Sequence, residues 1–170
     1  MTLQWIGASL IIAGCGGVGF GMALNYKREE IALRQLIQVL DLFCCELEYR
    51  MTPLPELFAK AAKTASGSLS KFFGSLSFQL QQQVVPDAAS CMQRLLTQSR
   101  DLCTSVVFPL NDLSRTIGEY DLGGQITGIQ AVQDSCRRKL EEMEANRSQR
   151  IRSYQTLGLC AGVALAILFL

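Results

Sequence analysis

The chain of 170 residues has room for one domain of ordinary size, and an apolar fraction of 49% is high for a wholly soluble one. A formal net charge of +1, with basic residues interleaved among acidic ones, provides no field to attract nucleic acid. Histidine is absent, which removes the usual general base and the commonest metal ligand together, so the residue set argues against an enzyme and implies no cofactor.

The apolar surplus sits at the two ends. No residue from Met1 to Tyr26 is charged, and none from Ser153 to Leu170. A helix crossing a hydrocarbon core of about 30 Å needs about 20 mostly apolar residues. Residues 1–26 and 153–170 are therefore expected to be N- and C-terminal transmembrane anchors, with residues 27–152 as a helical domain between them. Lys27 and Arg28 follow the first anchor, and Arg147, Arg150 and Arg152 precede the second. The positive-inside rule then makes the middle cytoplasmic.

Within the first anchor, residues 11–21 read IIAGCGGVGFG. Ile12-Ala13-Gly14-Cys15 has the shape of a lipoprotein cleavage box, but Met1 to Leu10 carries no Lys or Arg, as a signal peptide would. Gly14, Gly16 and Gly19 satisfy the dinucleotide-binding spacing, yet no strand pattern exists to build that site. Ala13, Gly17 and Gly21 fall four apart, and Gly158, Gly162 and Ala166 repeat the ridge in the second anchor. Two small-residue ridges of this kind are expected to pack transmembrane helices closely.

After the anchor, Leu33, Leu36, Leu40, Phe43 and Leu47 recur at steps of three and four, the seam of an amphipathic helix that continues the anchor as one rod. Glu46 and Glu48 read as charges on its solvated face. The helix is expected to stop at Arg50-Met51-Thr52-Pro53, with Thr52 capping the next helix and Pro53 in its first position.

Short helices follow. Leu57, Phe58, Ala61 and Ala62 mark one that ends at Gly67, and Leu69, Phe72, Phe73, Leu76 and Leu80 mark the next. Asp87 caps a third that turns Cys91, Met92, Leu95 and Leu96 inward, and Pro109 is expected to open a fourth through Leu110, Leu113 and Ile117, ended by Gly118. Asp121 starts the last helix, whose inward positions are Ile126, Ile129, Val132, Cys136, Leu140, Met143, Ile151 and Tyr154. Arg137 with Glu141 and Arg138 with Glu142 form four-apart pairs on its wet side. The fold expected is all-α: a cytoplasmic bundle of about six helices in which two long antiparallel helices run into the anchors.

The seven cysteines include no C-x-x-C pair and read as small apolar core residues in a reducing compartment. No G-x-x-x-x-G-K-[ST] is present, so the chain does not bind ATP through a phosphate loop.

The order of Glu46-Leu47-Glu48-Tyr49, Thr52-Pro53-Leu54 with Glu56, then Ile117-Gly118-x-x-Asp121-x-x-x-Gln125, then Tyr154-x-x-Leu157-Gly158 at the terminal anchor, resembles the stage III sporulation protein AB family of endospore-forming bacteria. The likeness spans the chain. Ile117 replaces a frequent leucine, and the glycine-rich first anchor and the many cysteines are this sequence's own. The resemblance implies a mother-cell membrane component of a complex between mother cell and forespore. It also implies a likeness to the F-type platform proteins of type II secretion and type IV pilus systems. The implied partners are a separate cytoplasmic secretion ATPase and other membrane subunits, with homo-oligomerisation left open. The residues alone would also suit a membrane-tethered helical adaptor unrelated to secretion.

Overall fold

A computed structural model describes residues 2–82, 87–99, 101–117 and 122–169; within the helices, the side chains of 2–20, Leu122 and 148–169, apart from Ser153, Thr156 and Cys160, are not described. The described residues form six α-helices and no strand: α1 Thr2–Tyr49, α2 Leu54–Thr64, α3 Gly67–Gln81, α4 Ala88–Gln98, α5 Thr104–Thr116 and α6 Leu122–Phe169. The expected all-α class is present, and α1 runs unbroken from the uncharged stretch into the seam. Among the described residues no helix is long and apolar enough to cross a membrane. Most of the uncharged stretches expected to be anchors, residues 2–20 and all of 153–169 but three, lie in helix ends whose side chains are not described.

The chain divides into two compact units, residues 29–140 and residues 1–28 with 141–170. In the first, the seam residues Leu33, Leu36, Leu40, Phe43 and Leu47 are all buried, joined by Val39. Phe43 meets Phe58 edge-on with ring centroids 5.5 Å apart and Phe73 at 6.0 Å, and Phe58 stacks on Phe73 at 6.1 Å. One ring from each of α1, α2 and α3 thus closes a triangle. Aromatic pairs in these geometries contribute about 0.5–1.5 kcal/mol beyond the area they bury. Two hydroxyls fasten α3 to α2: Ser70 Oγ donates to the Ala62 carbonyl at 2.6 Å and Ser77 Oγ to the Pro55 carbonyl at 2.7 Å. At the first residue of α3, Gly67 has φ +63°, a left-handed conformation that glycine adopts without cost.

Asp87 caps α4 as expected, accepting from the backbone N–H groups of Ala89 and Ser90 at 3.3 and 3.1 Å. Those donors, that of Ser90 foremost, hold its carboxyl below the usual range. Pro109 departs from expectation. It does not open α5, which starts five residues earlier, but lies inside it and is buried beside Leu110 and Leu113. Without an N–H it cannot donate to the carbonyl of Ser105; the ring serves as core filling instead.

On α6, Ile129, Val132 and Cys136 are buried as expected, whereas Ile126 and Leu140 are only half-buried. Arg137 extends its guanidinium to Asp41 on α1, 3.4 Å away, and Gln133 Nε2 donates to the same carboxylate. The close approach of α6 to α5 is made at Gly128, where an added Cβ would overlap the Thr116 methyl and come within 3.1 Å of its hydroxyl. That position was not among the small-residue ridges expected from the sequence. Of the ridge residues, Gly21 has no described atom within 4 Å of an added Cβ. Ala13, Gly17, Gly158, Gly162 and Ala166 lie outside the residues whose side chains are described.

In the second unit, Tyr26 and Met143 are buried, and Tyr26 Oη donates to the Met143 carbonyl at 2.6 Å.

Candidate interaction site

The last turn of α1 carries a carboxylate on its apolar side. Glu46 follows Phe43 by three residues, so helical geometry places it on the seam and not on the wet face. It is buried, contrary to the reading of Glu46 and Glu48 as solvated charges; Glu48 is exposed. A buried carboxylate needs partners, and Glu46 has three. Thr52 Oγ1 donates to its Oε2 at 2.6 Å, Lys60 Nζ donates to the same oxygen at 2.7 Å, and Arg50 Nη1 lies 3.5 Å from Oε1. The hydrogen bond from Lys60, followed by that from Thr52, holds the Glu46 carboxyl below the usual carboxylate range.

The backbone converges on the same residue. The N–H groups of Arg50 and Thr52 both donate to the Glu46 carbonyl, at 3.1 and 3.4 Å. To allow this the chain reverses at Met51, a non-glycine residue with φ +48°. The left-handed conformation costs an L-residue about 1–2 kcal/mol. Thr52 therefore does not cap α2 as expected: its hydroxyl is spent on Glu46. Pro53 is the N-cap, not the first helical residue, and makes no side-chain cap. Leu54 begins α2, and Glu56 in the first turn reaches Lys60 at 3.6 Å. An acidic residue there also suits the positive end of the helix dipole.

Of the residues carrying the resemblance, the structure thus gathers Thr52, Pro53, Leu54 and Glu56 around one corner, held by Glu46 and Lys60. Gln125 is half-buried in α6 and takes no part in the bonds of Glu46. Gly118 and Asp121 lie outside the described residues. Reading the sequence placed Glu46 in the motif but on the solvated face, and missed Lys60 altogether. The signal for each was its place on an apolar face, three residues after Phe43 and Leu57 respectively.

The corner also exposes apolar side chains. Tyr49 is 78% and Met51 73% exposed, flanking Arg50. Apolar residues so exposed on a turn that hydrogen bonds hold in one conformation form a pre-ordered contact surface.

Elsewhere the chemistry is sparse. An open cleft of about 330 Å³ between α3 and the α4–α5 connection is lined by Ser68, Lys71, Ser75, Gln98 and Asp101, without a nucleophile paired to a base. Among the described residues no group of three His, Cys, Asp or Glu side chains could hold a metal ion. Cys91 and Cys136 are buried, as expected of core residues, but Cys45 and Cys160 are exposed, which corrects the reading of every cysteine as core. Burial, assisted by the nearby Asp112 carboxylate, pushes the Cys136 thiol up to about 11. Burial likewise raises Cys91, against the pull of Arg94, and Cys44, where Asp41 adds to the effect.

These features define an all-α protein whose buried ionic cluster braces a turn. Comparison with known proteins carries this further. The model of the stage III sporulation protein AB family matches residues 4–170. The chain is 25% identical to the stage III sporulation protein AB of Bacillus subtilis (strain 168) over 170 residues, covering 99% of each. The chain belongs to the stage III sporulation protein AB family. No solved structure matches it.

Proposed function

We propose that the chain is a non-enzymatic membrane platform of a sporulation-associated, secretion-like complex. Its uncharged ends are anchored in the mother-cell membrane, and its helical middle contacts a cytoplasmic secretion-type ATPase. Two observations of sequence support the membrane part: the uncharged runs 1–26 and 153–170, and the cations at their inner edges. The resemblance to F-type platforms supplies the ATPase as partner. The α1–α2 corner is the contact face, and the observation that carries this reading is the exposure of Tyr49 and Met51 on a turn locked by Glu46.

The test is co-purification of the full chain, in mild detergent, with a co-expressed secretion ATPase. Tyr49→Ala together with Met51→Gly should abolish capture while leaving the thermal melt of the chain nearly unchanged, because both side chains are exposed and glycine accepts the conformation of residue 51. Full capture by this double variant would overturn the assignment of the face. No capture by the natural chain would overturn the platform.

A further inference from the structure

The open cleft of about 330 Å³ has one wall from α3 and the other from the end of α4 and the connection that follows. Ser68, Lys71 and Ser75 are spaced by three and four, so helical geometry puts them on one face of α3. Gln98, Ser99 and Asp101 line the cleft from the other side. Among the described residues none of these side chains makes a hydrogen bond or an ion pair. The contrast with the rest of α3 is plain, since Ser70 and Ser77 are both engaged by carbonyls of α2. Polar groups that the fold does not use thus converge on one space.

Two of them carry opposite charges. Lys71 stands on α3 and Asp101 on the connection, both are exposed, and no ion pair joins them. Among the described residues they are the charged groups that line the cleft. An anion entering here gains Lys71 but meets Asp101, and a cation has the reverse difficulty. A neutral molecule leaves both charges to water. A molecule with one charge of each sign, held apart by a short polar spacer, complements both at once. The Gln98 amide, which donates and accepts, and the serine hydroxyls suit an amide group in that spacer. Phe72 and Leu102 supply the apolar part of the lining. The volume stands at the lower end of the range of about 300–1,000 Å³ found for small-molecule sites.

We propose that this cleft binds a small zwitterion of dipeptide size, its carboxylate held by Lys71 and its ammonium by Asp101. The proposal goes beyond the platform reading and does not depend on it, because the cleft shares no residue with the α1–α2 corner. Exposed ion pairs are weak, so the expected Kd is on the order of 1 mM.

The experiment titrates the full chain in mild detergent with four peptides, followed by saturation-transfer NMR of the ligand: glycylglycine, its N-acetyl derivative, its C-terminal amide, and the peptide blocked at both ends. Glycylglycine should bind, and blocking either end should weaken it about fivefold. Lys71→Gln and Asp101→Asn should each weaken glycylglycine to a similar degree. In Asp101→Asn the acetylated peptide should bind as well as glycylglycine, since the ammonium then has no partner; in Lys71→Gln the amide should do the same. Each of these comparisons is made within one variant, so a change of stability does not enter it. Equal binding of all four peptides by the natural chain would overturn the proposal. Natural affinity in the double variant Lys71→Gln, Asp101→Asn would overturn it too, as would no binding of glycylglycine well above the expected Kd.

Discussion

Asp41 and Glu46 are carboxylates five residues apart on α1, and they stand in opposite surroundings. The Asp41 side chain is 57% exposed and meets Gln133 and Arg137 across a wet helix pair. The Glu46 side chain is 11% exposed and meets Thr52, Lys60 and Arg50 at a closed corner. An ion pair in water contributes about 0–1 kcal/mol, since solvent competes with both partners. A carboxylate out of water, by contrast, must be fully satisfied, and the chain around it is shaped to do so. The cost of that shaping is visible at Met51. The corner is specified by a polar group that has no alternative; the α1–α6 face near Asp41 is specified by its buried neighbours, with the ion pair as an addition.

If the corner rests on its aromatic triangle, the largest effect belongs to Phe58. Phe58→Ala should cost about 3–5 kcal/mol in chemical denaturation of the full chain in mild detergent, and a loss below about 1 kcal/mol would break the comparison. On the α6 side the strongest handle is the buried thiol. The folded Cys136 titrates at about 11 against a usual 9.0, so its contribution is fully present below pH 9 and is lost as pH rises towards 11. That loss is about 2–3 kcal/mol, and the difference between the natural chain and Cys136→Ala across this window measures it. Gly128→Ala should cost about 1–3 kcal/mol by overpacking against Thr116, and Thr116→Ser in the same chain should recover most of it by removing the clashing methyl.

The acid limb sharpens the contrast between the two carboxylates. The folded pKa of Glu46 is depressed, so its contribution is present above its usual 4.5 and disappears as pH falls through the folded value. Stability curves below pH 4.5 should be flatter for Glu46→Gln than for the natural chain, with the cap of Asp87 supplying part of the remaining slope. The smallest effect expected is that of Asp41→Asn, within about 0.5 kcal/mol at neutral pH. A larger loss there would mean that the exposed pair does more than decorate its face.

Much of this fold was legible in the sequence. The seam from Leu33 to Leu47 was readable because burial and helical period coincide at every step, and the Asp87 cap because its side chain has only the local backbone to bind. Reading failed where a residue had a choice. Thr52 could cap α2 or bind Glu46, and a charged partner is the stronger acceptor. Pro109 suited a first helical position, yet its ring was worth more in the core than its missing N–H cost. Glu46 reads with Glu48 as a solvated charge, but the helical step of three from Phe43 puts it on the buried side. The candidate corner was therefore half visible: Glu46, Thr52, Pro53, Leu54 and Glu56 stand in the motifs, but neither the burial of the Glu46 carboxylate nor the Lys60 amine that pairs with it could be marked.

The two left-handed residues differ in one further respect. Around Gly67 there is open space, so that nothing within 4 Å would obstruct a methyl group. Glycine is selected there by handedness and not by size. Semisynthesis with D-alanine at position 67 should leave the α2–α3 junction intact, whereas L-alanine should strain it, although the two carry the same atoms. At Met51 the natural L-residue already occupies the conformation that a mirror-image residue would prefer. The left-handed backbone at residues 51 and 67, one chiral and one achiral, thus sets the path of the chain into and out of α2.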